Sequence, residues 1–154
     1  MKRKNIFLIS ICFLMLITLT GCGNKKVASS SDFKSIAESN DYIVSDVKNQ
    51  YSAYDSVKEA YVAQHNSEYQ LEFYVLDSSD SATQMFNTNK KTFEGYKGSS
   101  SSESSSNMGN YSKYALTSSG YYMYLCRVDN TLLYVRVNDS YKDSIKDFVK
   151  KLGY

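Results

Sequence analysis

Proline is absent from all 154 residues, and so is tryptophan. An average chain holds about 5% proline, so turns here must be shaped by Gly, Asn, Asp and Ser. There is one histidine, His65, and it falls in the turn-forming stretch "HNSE". A serine hydrolase needs a base, usually histidine, and no GxSxG elbow surrounds any serine. No GxxxxGK or GxGxxG phosphate loop is present. The acids of "LDSSDS" (Leu76 to Ser81) and "VNDS" (Val137 to Ser140) are too few for a calcium loop and suit helix caps better. Paired carboxylates for glycoside cleavage need not be close in sequence, and no pair stands out. No catalytic residue, metal ligand or cofactor site is assigned.

Long apolar runs are also missing, with one exception. Ile6 to Leu19, "IFLISICFLMLITL", follows the positive start Lys2, Arg3, Lys4. A helix of that length spans roughly 21 Å, short of the ~30 Å hydrocarbon core. It therefore reads as a signal-peptide core and not as a membrane span. The run ends in Leu19-Thr20-Gly21-Cys22, after which the chain turns polar.

That tetrapeptide resembles the lipobox of bacterial lipoproteins. The resemblance covers only about the first 22 residues. It implies cleavage before Cys22 and attachment of lipid to the Cys22 thiol, with fatty chains of the palmitate type in the membrane. Small Thr20 and Gly21 let a peptidase reach the bond, and a thiol is the best available nucleophile for thioether formation. Two acyl chains anchor stably where one binds reversibly. The expected localisation is the outer, extracytoplasmic face of a cell membrane, within the cell envelope. The leader carries Lys2, Arg3 and Lys4 and no acid, so its loss takes the formal charge from +2 to −1. A nearly neutral domain offers no electrostatic case for nucleic acid. Cys12 leaves with the leader and Cys22 is taken by lipid, so Cys126 remains alone and no internal disulfide forms. Inside "YYMYLCRV" it reads as a small core hydrophobe. One cysteine and one histidine cannot supply a zinc site.

The expected organisation is a leader at 1–21, a flexible tether at 22–31, and a single α+β domain at 32–154. A Ser-rich loop at 95–110 divides that domain into two halves. Within the tether, Lys25 and Lys26 could lean toward anionic lipid heads. A short helix is expected at Asp32 to Ser39, capped by Ser30 or Ser31. Tyr42 to Val47 reads as a strand. Leu71, Phe73 and Val75 alternate with Gln70, Glu72 and Tyr74, the period of a half-buried strand. Lys58 to Gln64 has helix formers but is assigned to a strand. Ser79 to Glu94 reads as a helix with Asp77, Ser78 and Ser79 as caps. Ser99 to Ser106, "SSSSESSS", reads as a solvated loop. Leu133, Val135 and Val137 alternate like the earlier strand, and Ile145, Phe148, Val149 and Leu152 have helical spacing ending at Gly153.

The halves share a plan. A shift of 62 positions matches Leu71 with Leu133, Val75 with Val137, Asp77 with Asp139, Ser78 with Ser140 and Phe86 with Phe148. A shift of 60 places "YSAY" (Tyr51 to Tyr54) on "YSKY" (Tyr111 to Tyr114). Duplication and convergence on the same strand-turn-helix unit both fit. The expected fold is an antiparallel sheet of about six strands with helices on one face. Leu71, Phe73, Val75, Leu133, Val135 and Val137 face those helices. Glu72, Tyr74, Tyr134 and Arg136 lie on the other face as a candidate binding surface, since Tyr offers rigid area and a hydroxyl.

The layout resembles that of small Gram-positive-type surface lipoproteins without an assigned activity. The expected function is a membrane-anchored, non-enzymatic binding or interaction module for an envelope protein or small ligand. An envelope enzyme with dispersed carboxylates, or a small ligand receptor serving a transporter, are the alternatives.

Overall fold

The structure is a computed structural model and describes residues 24–154. The leader and Cys22 lie outside the described residues. Among those described, no helix is long and apolar enough to cross a membrane.

The chain runs α1 (Ser30–Glu38), β1 (Tyr42–Asp46), β2 (Val57–His65), β3 (Tyr69–Leu76), α2 (Ser79–Glu94), β4 (Ser102–Met108), β5 (Tyr111–Ser118), β6 (Tyr121–Val128), β7 (Thr131–Asn138) and α3 (Lys142–Leu152). The fold is α+β, built on one antiparallel sheet of seven strands in the order β1-β2-β3-β7-β6-β5-β4. With no proline to bend the chain, the hairpins turn on residues that accept positive φ: Asn66 and Ser67, Ser119 and Gly120, Asp129, and Gly109. The strand expected at Lys58 to Gln64 is the centre of β2. The helix at Ser79 to Glu94 has the expected bounds, with the Ser78 hydroxyl accepting from the Ser81 amide. Gly153, in the left-handed region at φ 83°, ends α3.

The expected single helical face is replaced by two. Phe33 of α1 and Ile145, Phe148, Val149 and Leu152 of α3 share one core with Leu71, Phe73, Leu133, Val135 and Val137. Ala82, Phe86 and Phe93 of α2 share another with Tyr74, Leu116, Leu125 and Leu132, the strand residues of opposite parity. Strand β6 explains why both faces need cover. It is buried at every position from Tyr122 to Val128, the continuous apolar run of a strand packed on both sides.

Two further expectations are corrected. The Ser-rich loop at 95–110 contains β4, paired with β5 from Ser102–Thr117 to Met108–Tyr111. Its serines bury little, because an edge strand is held by its backbone ladder and needs no apolar side chain. This seventh strand explains the excess over six. The flexible tether at 22–31 is docked from Lys25 onward. The Lys25 amide donates to Asn110 Oδ1 and Asn110 Nδ2 donates to the Lys25 carbonyl, both at 2.9 Å. Ala28 is buried, and its amide donates to the Tyr154 hydroxyl at 3.3 Å. Ser29, with Asp32, forms the capping box of α1, one residue ahead of the expected caps.

The shared plan extends to the strands and stops there. The first half contributes the meander β1–β3, the second the meander β4–β7 with β4 as an extra strand, and β3 meets β7 at the seam with Leu71 opposite Val135. The helices that follow go to opposite faces. "YSKY" opens β5, whereas Tyr51 closes a 3-10 turn (Lys48–Tyr51).

Candidate functional site

The sheet face that carries α2 is only partly covered. Helix α2 lies over β5, β6, β7 and the end of β3. The strip over β1 and the Val62 to Gln64 end of β2 stays open, with Ile43 73% exposed, while Val57 and Ala60 of β2 are buried in the α2 core.

Of the four residues expected there, Glu72 and Tyr134 are direct cross-strand partners on β3 and β7. Arg136 lies two residues further along the same face and is exposed. Tyr74 is corrected: it is 3% exposed, packed beneath α2 and against Tyr51. Its hydroxyl donates to Glu72 Oε2 and shares a 2.7 Å bond with the Tyr51 hydroxyl. Gln70 Nε2 donates to the other Glu72 oxygen at 3.3 Å. Burial, then the Glu72 charge, pushes the Tyr74 hydroxyl far above the ordinary tyrosine range. Burial and Glu72 push Tyr134 the same way, opposed by Arg136. The Tyr51–Tyr74–Glu72 chain therefore holds one carboxylate in a fixed orientation.

Arg136 is held differently. Its guanidinium carbon sits 4.5 Å from the Tyr121 ring centre and 5.1 Å from that of Tyr96. Each such contact contributes about 0.5–1 kcal/mol at an exposed site. Among the described residues no carboxylate lies within ion-pair distance of it. A shallow hollow of about 490 Å³ opens beside it, bounded by Gln64, Gln70, Tyr121 and Asn138. The site is a planar cation braced by two rings, beside a hollow lined by amide side chains and the Glu68 carboxylate.

A second hollow of about 400 Å³ lies beside α2, lined by Tyr51, Tyr54, Val57, Leu76 and Met85. Its walls are more apolar, and Tyr51 joins it to the Glu72 chain.

Tyr51, Tyr96 and Tyr121 were not among the candidates. Tyr121 carried a readable signal: the turn at Asp129–Asn130 sets Met123 opposite Arg136, which puts Tyr121 on the same face one step away. Tyr51 and Tyr96 lie outside the strands, where no periodicity points.

His65 ends β2 with its ring 5.0 Å from Tyr42 and 5.1 Å from Tyr69, a packing position. Cys126 is fully buried, and burial pushes its thiol up to about 12, which leaves it inert at neutral pH. Among the described residues no three of His, Cys, Asp and Glu are grouped to hold a metal ion.

No family model matches the chain, and no curated protein matches it. Among solved structures it is similar to the crystal structure of a GTP binding regulator from Thermotoga maritima. The two are 20% identical with a TM-score of 0.47, over 81% of this chain and 84% of that one. A likeness of that degree transfers no ligand.

Proposed function

We propose that the chain is a lipid-anchored extracytoplasmic binding module, held to the membrane through Cys22, and that its ligand carries an anionic group read by Arg136. The observation that carries the binding reading is the guanidinium braced by Tyr96 and Tyr121 without an acid partner. Holding an arginine in place before the ligand arrives removes an ordering cost from association. Its planar fork matches carboxylate and phosphate. The lipobox likeness at Leu19 to Cys22 supports the anchor.

The binding half is tested by titrating the soluble domain with short peptides bearing a free carboxylate and with glycerol phosphate, followed by NMR. We expect amide shifts confined to Gln70, Tyr121, Arg136 and Asn138, and their loss in Arg136→Gln. The variant should still fold, because losing two ring contacts costs about 1–2 kcal/mol, a fraction of the 5–15 kcal/mol that typical domains possess. Shifts that persist in the variant, or that arise elsewhere, overturn the assignment.

The anchor is tested in cells fed a fatty acid carrying an alkyne tag. The wild-type chain should take the label and lose residues 1–21. Cys22→Ser should abolish the label completely. An unmodified Cys22 thiol, or an uncut leader on the mature protein, refutes the anchor and leaves the binding assignment standing.

A further inference from the structure

The face opposite Arg136 carries a groove between α3 and the strands β4, β5 and β6. One part holds about 480 Å³ and is flanked by Lys25, Lys113, Lys146 and Lys150. The adjoining part holds about 220 Å³, shares Lys146 and adds Lys142. Its floor is Ala115 with Tyr122 and Tyr124. Five lysines thus line one furrow in a domain whose formal charge is about neutral. Glu103, which borders it, is held by Lys97 at 2.6 Å, and Asp143 pairs with Lys146 at 3.2 Å, which offsets one of the five groove charges. Lys25 is fixed at the mouth, with Nζ donating to the Gly153 carbonyl at 3.2 Å and lying 4.5 Å from the Tyr111 ring centre.

Position decides what such a groove meets. Lys25 is docked to Asn110, and three residues of chain reach at most about 11 Å. A lipid on Cys22 would therefore hold the groove within one Debye length, ~8 Å in physiological salt, or little beyond it, of the headgroup plane. Lysines at that distance are attracted to anionic lipid.

We propose that the lysine-lined groove docks on the anionic headgroups of the membrane that the anchor enters. This rests on the lipid-anchor reading above, and it adds an orientation to it. Lys113, Ala115 and Thr117 pair with Cys126, Tyr124 and Tyr122 on the α1/α3 face, whereas Arg136 pairs with Met123 on the α2 face. Docking the first face turns the Arg136 hollow away from the bilayer, toward ligands in solution.

The test uses the unlipidated segment 23–154, because every strand, helix and core contact described here lies within residues 24–154. Sedimentation with phosphatidylglycerol vesicles should show binding that is absent with phosphatidylcholine and lost in 1 M salt. Removing three groove lysines in Lys113→Gln/Lys142→Gln/Lys150→Gln should lower partition about 100-fold, at roughly fivefold per lysine. Lys48→Gln/Lys58→Gln/Lys91→Gln removes the same charge away from the groove and should cost less than about fivefold. Circular dichroism confirms that both variants are folded. Equal loss in the two variants, or equal binding to phosphatidylcholine, overturns the groove. Displacement by inorganic phosphate at constant ionic strength also overturns it, by showing a site for the free ion. Cys22 labelling is read separately, so a failed groove and a failed anchor are told apart.

Discussion

Phe33→Ala will lower the thermal midpoint of the domain by about 10–20 °C. Phe33 is fully buried and comes from a helix of only nine residues. Its ring stacks on Phe73 of the sheet at 4.7 Å and meets the edge of Phe148 of α3 at 5.8 Å. One side chain thus joins α1, β3 and α3. Truncating a buried Phe costs about 3–5 kcal/mol, the sum of lost transfer energy and an unfilled cavity. Each kcal/mol moves the midpoint by about 4 °C in a domain of this size. So short a helix cannot hold its own geometry without that packing. Ile43→Ala is the control: it removes a comparable apolar group from an exposed edge position and should leave the midpoint within about 2 °C. Calorimetry on both variants decides it. A Phe33→Ala loss no larger than that of Ile43→Ala would mean that α1 is not part of the cooperative unit.

The second large effect is alkaline unfolding. Burial pushes the hydroxyls of Tyr111, Tyr122 and Tyr154 up to about 12. It pushes those of Tyr42, Tyr74 and Tyr124 further still. In the unfolded chain tyrosine titrates near 10 and cysteine near 8.5. Above those values the unfolded state releases protons that the folded state retains, so unfolding becomes easier as pH rises. Stability from these groups is fully present below about pH 8.5. Between there and pH 10 only Cys126, also near 12 when folded, erodes it. From pH 10 toward 12 each buried tyrosine removes up to about 1.4 kcal/mol per pH unit. Several acting together exceed the 5–15 kcal/mol that typical domains possess. Circular dichroism should therefore be flat from about pH 6 to 9 and collapse in one step between about pH 10.5 and 12. Tyrosinate absorbance should rise in the same step. Smooth titration of all fifteen tyrosines near pH 10, with the fold intact, would contradict the buried placement.

Six of the seven strands and all three helices among the described residues were legible because their signals are local. Leu71, Phe73 and Val75 alternate against Gln70 and Glu72, and Ser78 marks the start of α2. The face of the sheet that α2 covers was not legible, since Tyr74 reads equally as an exposed tyrosine or a buried one. Nothing within β3 says that a helix following it will fold back over the even positions. β4 was missed because "SESSSNM" has no apolar period, and its pairing with β5 is a property of the partner strand. The docked lead-in was missed for a related reason. Lys25 is held by Asn110, 85 residues away, and that contact exists only once β4 and β5 have turned. Of the candidate surface, Glu72, Tyr134 and Arg136 followed from alternation. The bracing rings required the register of β6 against β7 and the path of the chain beyond α2.

The seam between β3 and β7 has a kinetic consequence. Leu71 pairs with Val135 and Phe73 with Leu133, so the middle of the sheet joins segments some sixty residues apart. Neither meander can cover both of its faces alone. Closing so long a stretch costs entropy before any pairing rewards it, which places folding toward the slower, millisecond-to-second end of the range. During synthesis β3 remains an open edge of its meander until β7 has emerged.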